Sequence, residues 1–281
     1  MYFEQLLNSW ALIILIAALV SFLVSELTRN YSQVDKLWSL MPVIYSFVSL
    51  AASPSPRLWL MSSLVTIWGL RLSFNFYRKG GYSIVPWRGE EDYRWKIMRQ
   101  NPALKGRIRF GLFNLFFISF YQHLLVLLFS SPLLLAAKYP AAGLTFIDVA
   151  AACMMLFFII GETIADNQQF TFQKLKKQSE NRDDLYSASL EKGFLSEGVW
   201  RYARHPNFAC EQSIWITFYL FGVSASGSWI NPTLAGPVLL VLLFQGSTYF
   251  TESISSAKYP EYDSYQKNVP KFIPRLFNVK N

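Results

Sequence analysis

The sequence contains few of the residues that build metal and redox sites. It has two cysteines and two histidines among 281 residues. Cys153 and Cys210 lie in or beside apolar runs without a C-x-x-C or metal-ligand spacing, so we expect both to be packing residues. His123 and His205 have no further ligands near them in a cluster, which predicts no metal site.

Several catalytic and cofactor motifs are also missing. No G-x-G-x-x-G or G-x-x-x-x-G-K-[ST] sequence occurs, so neither a Rossmann site nor a P-loop is expected. No G-x-S-x-G turn accompanies a histidine, which disfavours a serine hydrolase. The residues before Trp10 carry no Lys or Arg, and no small-residue cleavage site follows, so we expect no cleaved signal peptide.

Apolar residues dominate instead, with 52% hydrophobic and 17% aromatic residues and a mean hydropathy of +0.23. A soluble domain rarely contains so much apolar side chain. Because a spanning helix needs about 20 apolar residues, the runs bounded by charge predict an all-α, polytopic transmembrane bundle with about seven spans. Without repeats or linkers, residues 1–281 form a single predicted membrane domain. The predicted spans are Trp10 to Leu27, Leu37 to Ala52, Leu58 to Tyr77, Phe110 to Ala137, Gly143 to Ala165, Gln212 to Ile230 and Leu234 to Thr251.

The basic residues predict the orientation of the bundle, since segments rich in Lys and Arg resist translocation. With seven spans, the loops Phe76 to Arg109 and Asp166 to Arg204 and the tail after Glu252 lie on one side, while the other side has Arg57 and Lys138. We therefore expect a lumenal or outside N-terminus and a cytosolic C-terminus. The membrane would be the endoplasmic reticulum in a eukaryote and the plasma membrane in a bacterium.

The formal net charge of +8 is explained by this topology, and acidic residues are interleaved with the basic ones. We therefore expect no nucleic-acid partner, and the sequence indicates no obligate protein partner. The tail repeats Tyr and Pro between Tyr259 and Pro274, which predicts a docked cap rather than a solvated tail.

Charged and amide residues recur on single helix faces at the predicted cytosolic ends of the spans. Residues three, four or seven positions apart share a helix face. A charge in hydrocarbon costs about 3 kcal/mol or more, so such residues must face protein, water or a ligand. The stripes are Arg71, Asn75 and Arg78; Glu162, Asp166 and Gln169; Gln245, Tyr249 and Glu252; and the pair Asn207 and Glu211.

Two interpretations of these stripes are open. Membrane-edge anchors that reach the headgroups would account best for Arg78 and Gln169. Carboxylates and amides inside the apolar runs are better explained by a shared hydrophilic cavity. Arg binds phosphate through a planar fork, and carboxylates accept hydrogen bonds from ribose hydroxyls, so a nucleotide cofactor between helices is physically reasonable.

The segment GVWRYARHPNFACE, from Gly198 to Glu211, resembles the C-terminal signature of the steroid 5-alpha-reductase superfamily, whose usual form ends in N-Y-x-G-E. The motifs WGLRL from Trp68, GEEDYRW from Gly89 and ETIADNQ from Glu162 support the resemblance, as do YPEYDSY and FIP in the tail. It covers Asp35 to Pro274, with the signature region at residues 198–274, and points to an uncharacterised bacterial and fungal branch. Isoprenylcysteine carboxyl methyltransferases and sterol reductases share a version of the signature.

The resemblance implies a helical membrane bundle that holds NADPH at its cytosolic side. Asn207 and Glu211 would contact the nicotinamide end, and Asp166 the ribose, while Glu211 is also a catalytic candidate. Asp35, with Trp38, is the candidate for the acid that polarises the substrate. The resemblance also implies Arg201, Tyr202 and Arg204 at the phosphates, with His205 at the same ligand. The polar stripes add Arg71, Glu162 and Glu252 to the candidate cofactor-binding residues.

The implied reaction is reduction of a carbon–carbon double bond in an enone-type lipid or steroid-like substrate that enters from the bilayer. Two departures from the usual signature, Phe208 for Tyr and Cys210 for Gly, leave the cofactor geometry open. The alternatives are an S-adenosylmethionine-dependent lipid or prenylcysteine methyltransferase and a non-catalytic transporter or scaffold. The apolar lumenal halves of most predicted spans count against a transport path.

Overall fold

The computed structural model describes residues 2–141, 143–178 and 186–275, and all regular structure in these ranges is helical. The predicted all-α class is confirmed. The helices are α1 (Tyr2–Thr28), α2 (Gln33–Trp38), α3 (Met41–Ala52), α4 (Pro56–Arg78), α5 (Tyr93–Gln100), α6 (Arg107–Phe113), a π-helical segment (Asn114–Tyr121), α7 (Gln122–Ser130), α8 (Pro132–Lys138), α9 (Phe146–Lys177), α10 (Ser187–Lys192), a 3₁₀ turn (Gly198–Arg201), α11 (Pro206–Ser226), a second 3₁₀ turn (Pro232–Leu234), α12 (Ala235–Lys258) and α13 (Tyr262–Asn268).

Within the described ranges, four stretches are long and apolar enough to cross a membrane: Tyr2–Thr28, Arg107–Ser130, Phe146–Lys177 and Pro232–Lys258. They contain all or most of four predicted spans, which supports a membrane protein. The other three predicted spans fall in helices that are shorter or more polar. For example, the 12 residues of α3 extend about 18 Å, less than the roughly 30 Å of a hydrocarbon core.

Two predicted spans are interrupted. The predicted span Leu37 to Ala52 is divided between α2 and α3, with Pro42 in the first turn of α3, where its missing N–H is tolerated. The predicted span Phe110 to Ala137 is divided at Ser131, and α8 begins with Pro132. These proline positions explain both breaks, because proline cannot donate the backbone hydrogen bond that a helix interior requires.

The described chain forms two compact units. Unit 1 comprises Met1–Cys153 and Trp215–Leu240, and unit 2 comprises Met154–Ile214 and Val241–Asn281. The prediction of a single membrane domain stays a prediction.

Aromatic side chains form much of the core of unit 1. The rings of Trp68 and Phe129 lie 4.8 and 4.1 Å from Trp215 between centroids. A second cluster contains Tyr31, Trp95 and residues of the α6–π segment. Trp95 belongs to the predicted cytosolic loop Phe76 to Arg109, so part of that loop folds back onto the unit, whereas Trp87 is 52% exposed.

Unit 2 is assembled around two aromatic clusters. Phe172 of α9 packs with Trp200 of the first 3₁₀ turn. Phe194 packs with Tyr262 and Tyr265 of α13, and the Tyr265 hydroxyl donates to the Trp200 carbonyl at 2.5 Å. Both tyrosines are buried, which confirms the prediction that the tail docks as a cap.

Candidate functional site

Three buried carboxylates lie on two helices of unit 2. Glu162 and Asp166 are four residues apart in α9, and Glu211 lies in the first turns of α11. Their exposed fractions are 5%, 3% and 5%. Burial of ionised groups is costly unless they are paired or hydrogen-bonded, so a set of three within one unit indicates a specialised polar region.

Asn207 connects the two helices of this region. Its Nδ2 donates to Asp166 Oδ1 at 3.3 Å. Its Oδ1 is buried and has no hydrogen-bond partner among the described residues. A buried acceptor left in this state costs about 1–3 kcal/mol, so the position favours a ligand or a water that donates to Oδ1.

The two departures from the signature have visible consequences in unit 2. The usual signature has a glycine at the position of Cys210 on α11. In this chain the glycine is on α9 instead: a Cβ on Gly161 would lie 3.1 Å from the Cys210 Sγ, so Gly161 leaves room for that side chain. Phe208 lies beside His205, with ring centroids 5.4 Å apart, and edge-on to Phe244. Cys210 is partly buried against Gly161, and Cys153 is exposed on the apolar helix α9; the expectation that both are packing residues stays a prediction.

Glu252 of α12 is the centre of a second polar cluster in unit 2. It accepts hydrogen bonds from Arg204 Nε at 2.7 Å, from His205 Nε2 at 2.9 Å and from Gln266 Nε2 at 3.0 Å. The side chains of Arg204 and Glu252 are only 10% and 8% exposed. The carboxylate is therefore well satisfied by protein donors.

Arg204 also fixes the C-terminal tail. Its Nη1 donates to the carbonyls of Gln266 and Val269 at 2.7 and 2.5 Å. Its backbone N–H donates to the Pro270 carbonyl at 2.9 Å, and the backbone N–H of His205 donates to the Lys271 carbonyl at 3.0 Å. The guanidinium thus bonds to protein acceptors, and this geometry favours a structural role over the phosphate contact that the resemblance implies.

Arg201 and Tyr202 differ from Arg204 in exposure. Both are exposed at the end of the 3₁₀ turn, and the Arg201 guanidinium lies 5.8 Å from the centroid of the Tyr202 ring. An accessible arginine at this position is suited to an anion that approaches from solvent.

The predicted stripe Gln245, Tyr249 and Glu252 is divided in the structure, because Tyr249 is 77% exposed while Glu252 is 6% exposed. Gln245 accepts a hydrogen bond from Lys271 of the tail.

The basic stripe belongs to unit 1, where Arg71 is partly buried in α4 and Arg78 donates to Asn75 Oδ1 from two nitrogens, at 3.0 and 2.8 Å.

Asp35 lies in unit 1, in the short helix α2. Its Oδ2 accepts a hydrogen bond from Trp95 Nε1 at 3.0 Å. Trp38, named above together with Asp35, packs its ring against Phe129. The assignment of Asp35 as the acid that polarises the substrate stays a prediction.

The surroundings of Asp35 contain a second carboxylate. Burial raises the pKa of Asp35, and the charge of Asp92 adds to the effect, against an opposing contribution from Arg94. Burial also acts to raise the pKa of Asp92, but Arg94, which bonds to both carboxylate oxygens at 2.9 Å, outweighs it and lowers that pKa. The pair therefore contains one carboxyl with a raised pKa and one with a lowered pKa, which is typical of sites that handle protons but also occurs in structural networks.

Two residues that hydrogen-bond to candidate site residues could not be predicted from the sequence. Gln266 reaches Glu252 from α13, and no motif or shared helix face connects the two positions. Trp95 was expected as part of the GEEDYRW motif and as a loop aromatic that folds back onto the bundle, but not as the donor to Asp35. Among the described residues, no group of three or more His, Cys, Asp or Glu side chains could hold a metal ion. The predicted absence of a metal stays a prediction.

A search of curated proteins finds a relative in the fission yeast Schizosaccharomyces pombe, described as an uncharacterized protein. It is 40% identical over 267 residues, which cover 90% of this chain and 75% of the relative. No solved structure matches the chain. A family model matches residues 21–269, so the chain belongs to the family described as "Protein of unknown function (DUF1295)".

Proposed function

We propose that the protein is a membrane-embedded, NADPH-dependent reductase that reduces a carbon–carbon double bond of an enone-type lipid or steroid-like substrate. The observation that carries the proposal is the buried, unpaired Oδ1 of Asn207 beside Asp166. The resemblance of the Gly198–Glu211 segment to the steroid 5-alpha-reductase superfamily adds the reaction class.

The residues of unit 2 fit a nicotinamide nucleotide. An amide oxygen accepts from the carboxamide N–H₂ of a nicotinamide, and the buried carboxylates Glu162, Asp166 and Glu211 accept from ribose hydroxyls. Because Arg204 is bonded to Glu252 and the tail, we assign phosphate binding first to the exposed Arg201, with Tyr202 beside it. His205 and Glu252 then support the site indirectly by fixing Arg204 and the tail.

The roles of the protein groups follow from these contacts. Asp166 holds the Asn207 amide so that its Oδ1 is presented as an acceptor, and this positions the ligand for reaction. When bound, NADPH would supply a hydride to the β carbon of the substrate. A protein acid would support the enolate and return a proton to the α carbon. The family resemblance names Asp35 as the candidate for that acid, and this assignment rests on the sequence alone.

We infer seven spans, in which the segment from α2 through α3 crosses as one broken span, with a lumenal or outside N-terminus, so that the signature region faces cytosolic NADPH. The four stretches long and apolar enough to span support the membrane location. The orientation rests on the distribution of Lys and Arg. The basic stripe residue Arg71 would also be on the cytosolic side in this topology.

Ligand titration tests the proposal. The protein is purified in mild detergent and titrated separately with NADPH and S-adenosylmethionine, with nucleotide fluorescence and thermal stability as readouts. We expect NADPH to stabilise the fold, by about 2.7 kcal/mol at 100 times its Kd. Stabilisation by S-adenosylmethionine alone would overturn the reductase proposal in favour of the methyltransferase.

Substitution of Asn207 tests the observation itself. We expect Asn207→Ala to weaken NADPH binding about 2- to 13-fold, the effect of losing one hydrogen bond, while protein abundance is kept. Asn268→Ala is the matched control, since Asn268 is an exposed asparagine of unit 2. Equal NADPH affinity in the two variants would make Asn207 a structural residue.

A further inference from the structure

One face of α4 in unit 1 presents apolar side chains outward. Ile67, Leu70, Phe74 and Tyr77 are 46%, 67%, 62% and 64% exposed. Their spacing of three or four residues places them on one helix face. From Ile67 to Tyr77 the helix rises about 15 Å, which equals the hydrocarbon thickness of one leaflet, about half of 30 Å.

An open hollow lies at the end of this apolar face. Its volume is about 790 Å³, and its lining includes Tyr77, the last residue of the face, together with Tyr82, Ser83 and Glu90. Glu90 is the charged residue of the lining and is exposed. The hollow therefore combines aromatic rings, a hydroxyl and a carboxylate directly beyond an apolar surface.

The walls of the hollow are fixed by hydrogen bonds within unit 1. The Tyr82 hydroxyl donates to the Lys36 carbonyl at 2.7 Å, and Lys36 Nζ donates to the Arg88 carbonyl at 2.6 Å. The Glu90 N–H donates to the Gly80 carbonyl at 2.8 Å. A side chain at Gly89 is excluded, since a Cβ there would lie 2.3 Å from the Gly81 oxygen and its φ is +124°. These hydrogen bonds and the glycine at position 89 hold the segment from Gly80 to Glu90 in this conformation.

We propose that the hollow is a headgroup site for a phospholipid that carries an ammonium group, with the acyl chains lying on the apolar face of α4. A lipid on this face has its headgroup at the level of the hollow. The Glu90 carboxylate attracts the ammonium, and Tyr77 and Tyr82 supply aromatic rings to the lining around it. Lys79, exposed at the end of α4, provides positive charge for the phosphate. The site is independent of the proposed reduction, because none of its residues belongs to the proposed cofactor site.

Lipid binding is measured by native mass spectrometry on the purified protein. Dioleoyl phosphatidylcholine and dioleoyl phosphatidylglycerol are titrated in parallel, so that the acyl chains are the same and only the headgroup differs. We expect tighter binding of phosphatidylcholine. Glu90→Gln should weaken it about two- to fivefold and Tyr77→Leu by a similar factor, whereas phosphatidylglycerol binding should not fall. The control is Glu191→Gln, which removes an exposed carboxylate of unit 2.

A competition with water-soluble phosphocholine distinguishes a lipid from a free headgroup. If phosphocholine displaces phosphatidylcholine at equal concentration, the acyl face contributes nothing and the lipid assignment is overturned. Tighter binding of phosphatidylglycerol, or phosphatidylcholine binding unchanged in both variants, overturns the ammonium assignment. Thermal stability of each variant is recorded, so that a loss of binding through misfolding is recognised.

Discussion

Arg57 and Asp148 form a buried, two-pronged ion pair between α4 and α9 in unit 1. The Nε–Oδ1 and Nη2–Oδ2 distances are 2.9 and 3.0 Å, and the side chains are 1% and 0% exposed. Asp148 also accepts hydrogen bonds from the Thr145 N–H at 2.7 Å and the Ser224 hydroxyl at 2.8 Å. Removing one partner leaves the other charge buried and uncompensated.

We expect Asp148→Asn to lower the free energy of unfolding by about 3–5 kcal/mol, because Arg57 is left buried beside a neutral amide. The double variant Arg57→Met, Asp148→Leu should recover much of this loss. Denaturant unfolding of the detergent-solubilised protein measures both changes. The control is Arg29→Gln, at an exposed ion pair, which should change the free energy by less than about 1 kcal/mol. A similar loss in the single and double variants would contradict this account.

Asp35 and Asp92 should give opposite pH dependences of stability. Because the pKa of Asp35 is raised in the folded protein, Asp35 contributes to the free energy of unfolding. This contribution is complete below pH 3.8, the pKa of the unfolded state, and is lost as the pH rises through the folded pKa. Because the pKa of Asp92 is lowered, its contribution to the free energy of unfolding is present above pH 3.8 and is lost as the pH falls through the folded pKa. Raising the pH should therefore destabilise the wild type relative to Asp35→Asn, and lowering it should destabilise the wild type relative to Asp92→Asn.

Thermal unfolding between about pH 3 and pH 8, a range that includes both shifted titrations, measures these differences for each variant. Asp263→Asn, at an exposed carboxylate of unit 2, is the control and should follow the wild type. Parallel pH profiles for Asp35→Asn and Asp92→Asn would show that the two carboxyls do not have opposite shifts.

Arg201 and Arg204 should separate ligand binding from stability. Arg204→Gln breaks the buried bonds to Glu252 and the tail carbonyls, so we expect a loss of about 3–5 kcal/mol in stability and faster proteolysis near residues 266–275. Arg201→Gln should leave stability within about 0.5 kcal/mol, because the side chain is exposed.

The same two variants are compared for NADPH affinity at several salt concentrations. Under the proposed function, Arg201→Gln weakens NADPH binding and reduces its salt dependence, because it removes a cation that contacts phosphate. If Arg201→Gln binds NADPH as the wild type does, the phosphate contact lies elsewhere. If Arg204→Gln leaves stability unchanged, the structural role of Arg204 is wrong.

The sequence was most informative where a physical rule is local. Apolar length predicted the long helices such as α1 and α9, and helix spacing placed Glu162 and Asp166 together on one buried face. The docked tail followed from its aromatic residues, of which Tyr262 and Tyr265 are buried. Each of these features depends on residues that are close in the chain, so periodicity and composition suffice.

The sequence was least informative about partners distant in the chain. Arg57 was placed in a loop and Asp148 was passed over, although the two are 91 positions apart and pair in the core of unit 1. Arg204 was assigned to phosphate because nothing local indicates that Glu252, 48 positions later, takes up its donors. Such pairings depend on how helices pack, and a single sequence has no periodicity that reports it.

The bonds around Arg204 also impose an order on biosynthesis. Arg204 and His205 are made before α12, but their acceptors are Glu252 and carbonyls as late as Lys271. The charges of Arg204 and Glu252 can therefore pair only after α12 has been synthesised. Until then, the signature segment lacks the contacts with α12 and the tail that hold it in the folded protein.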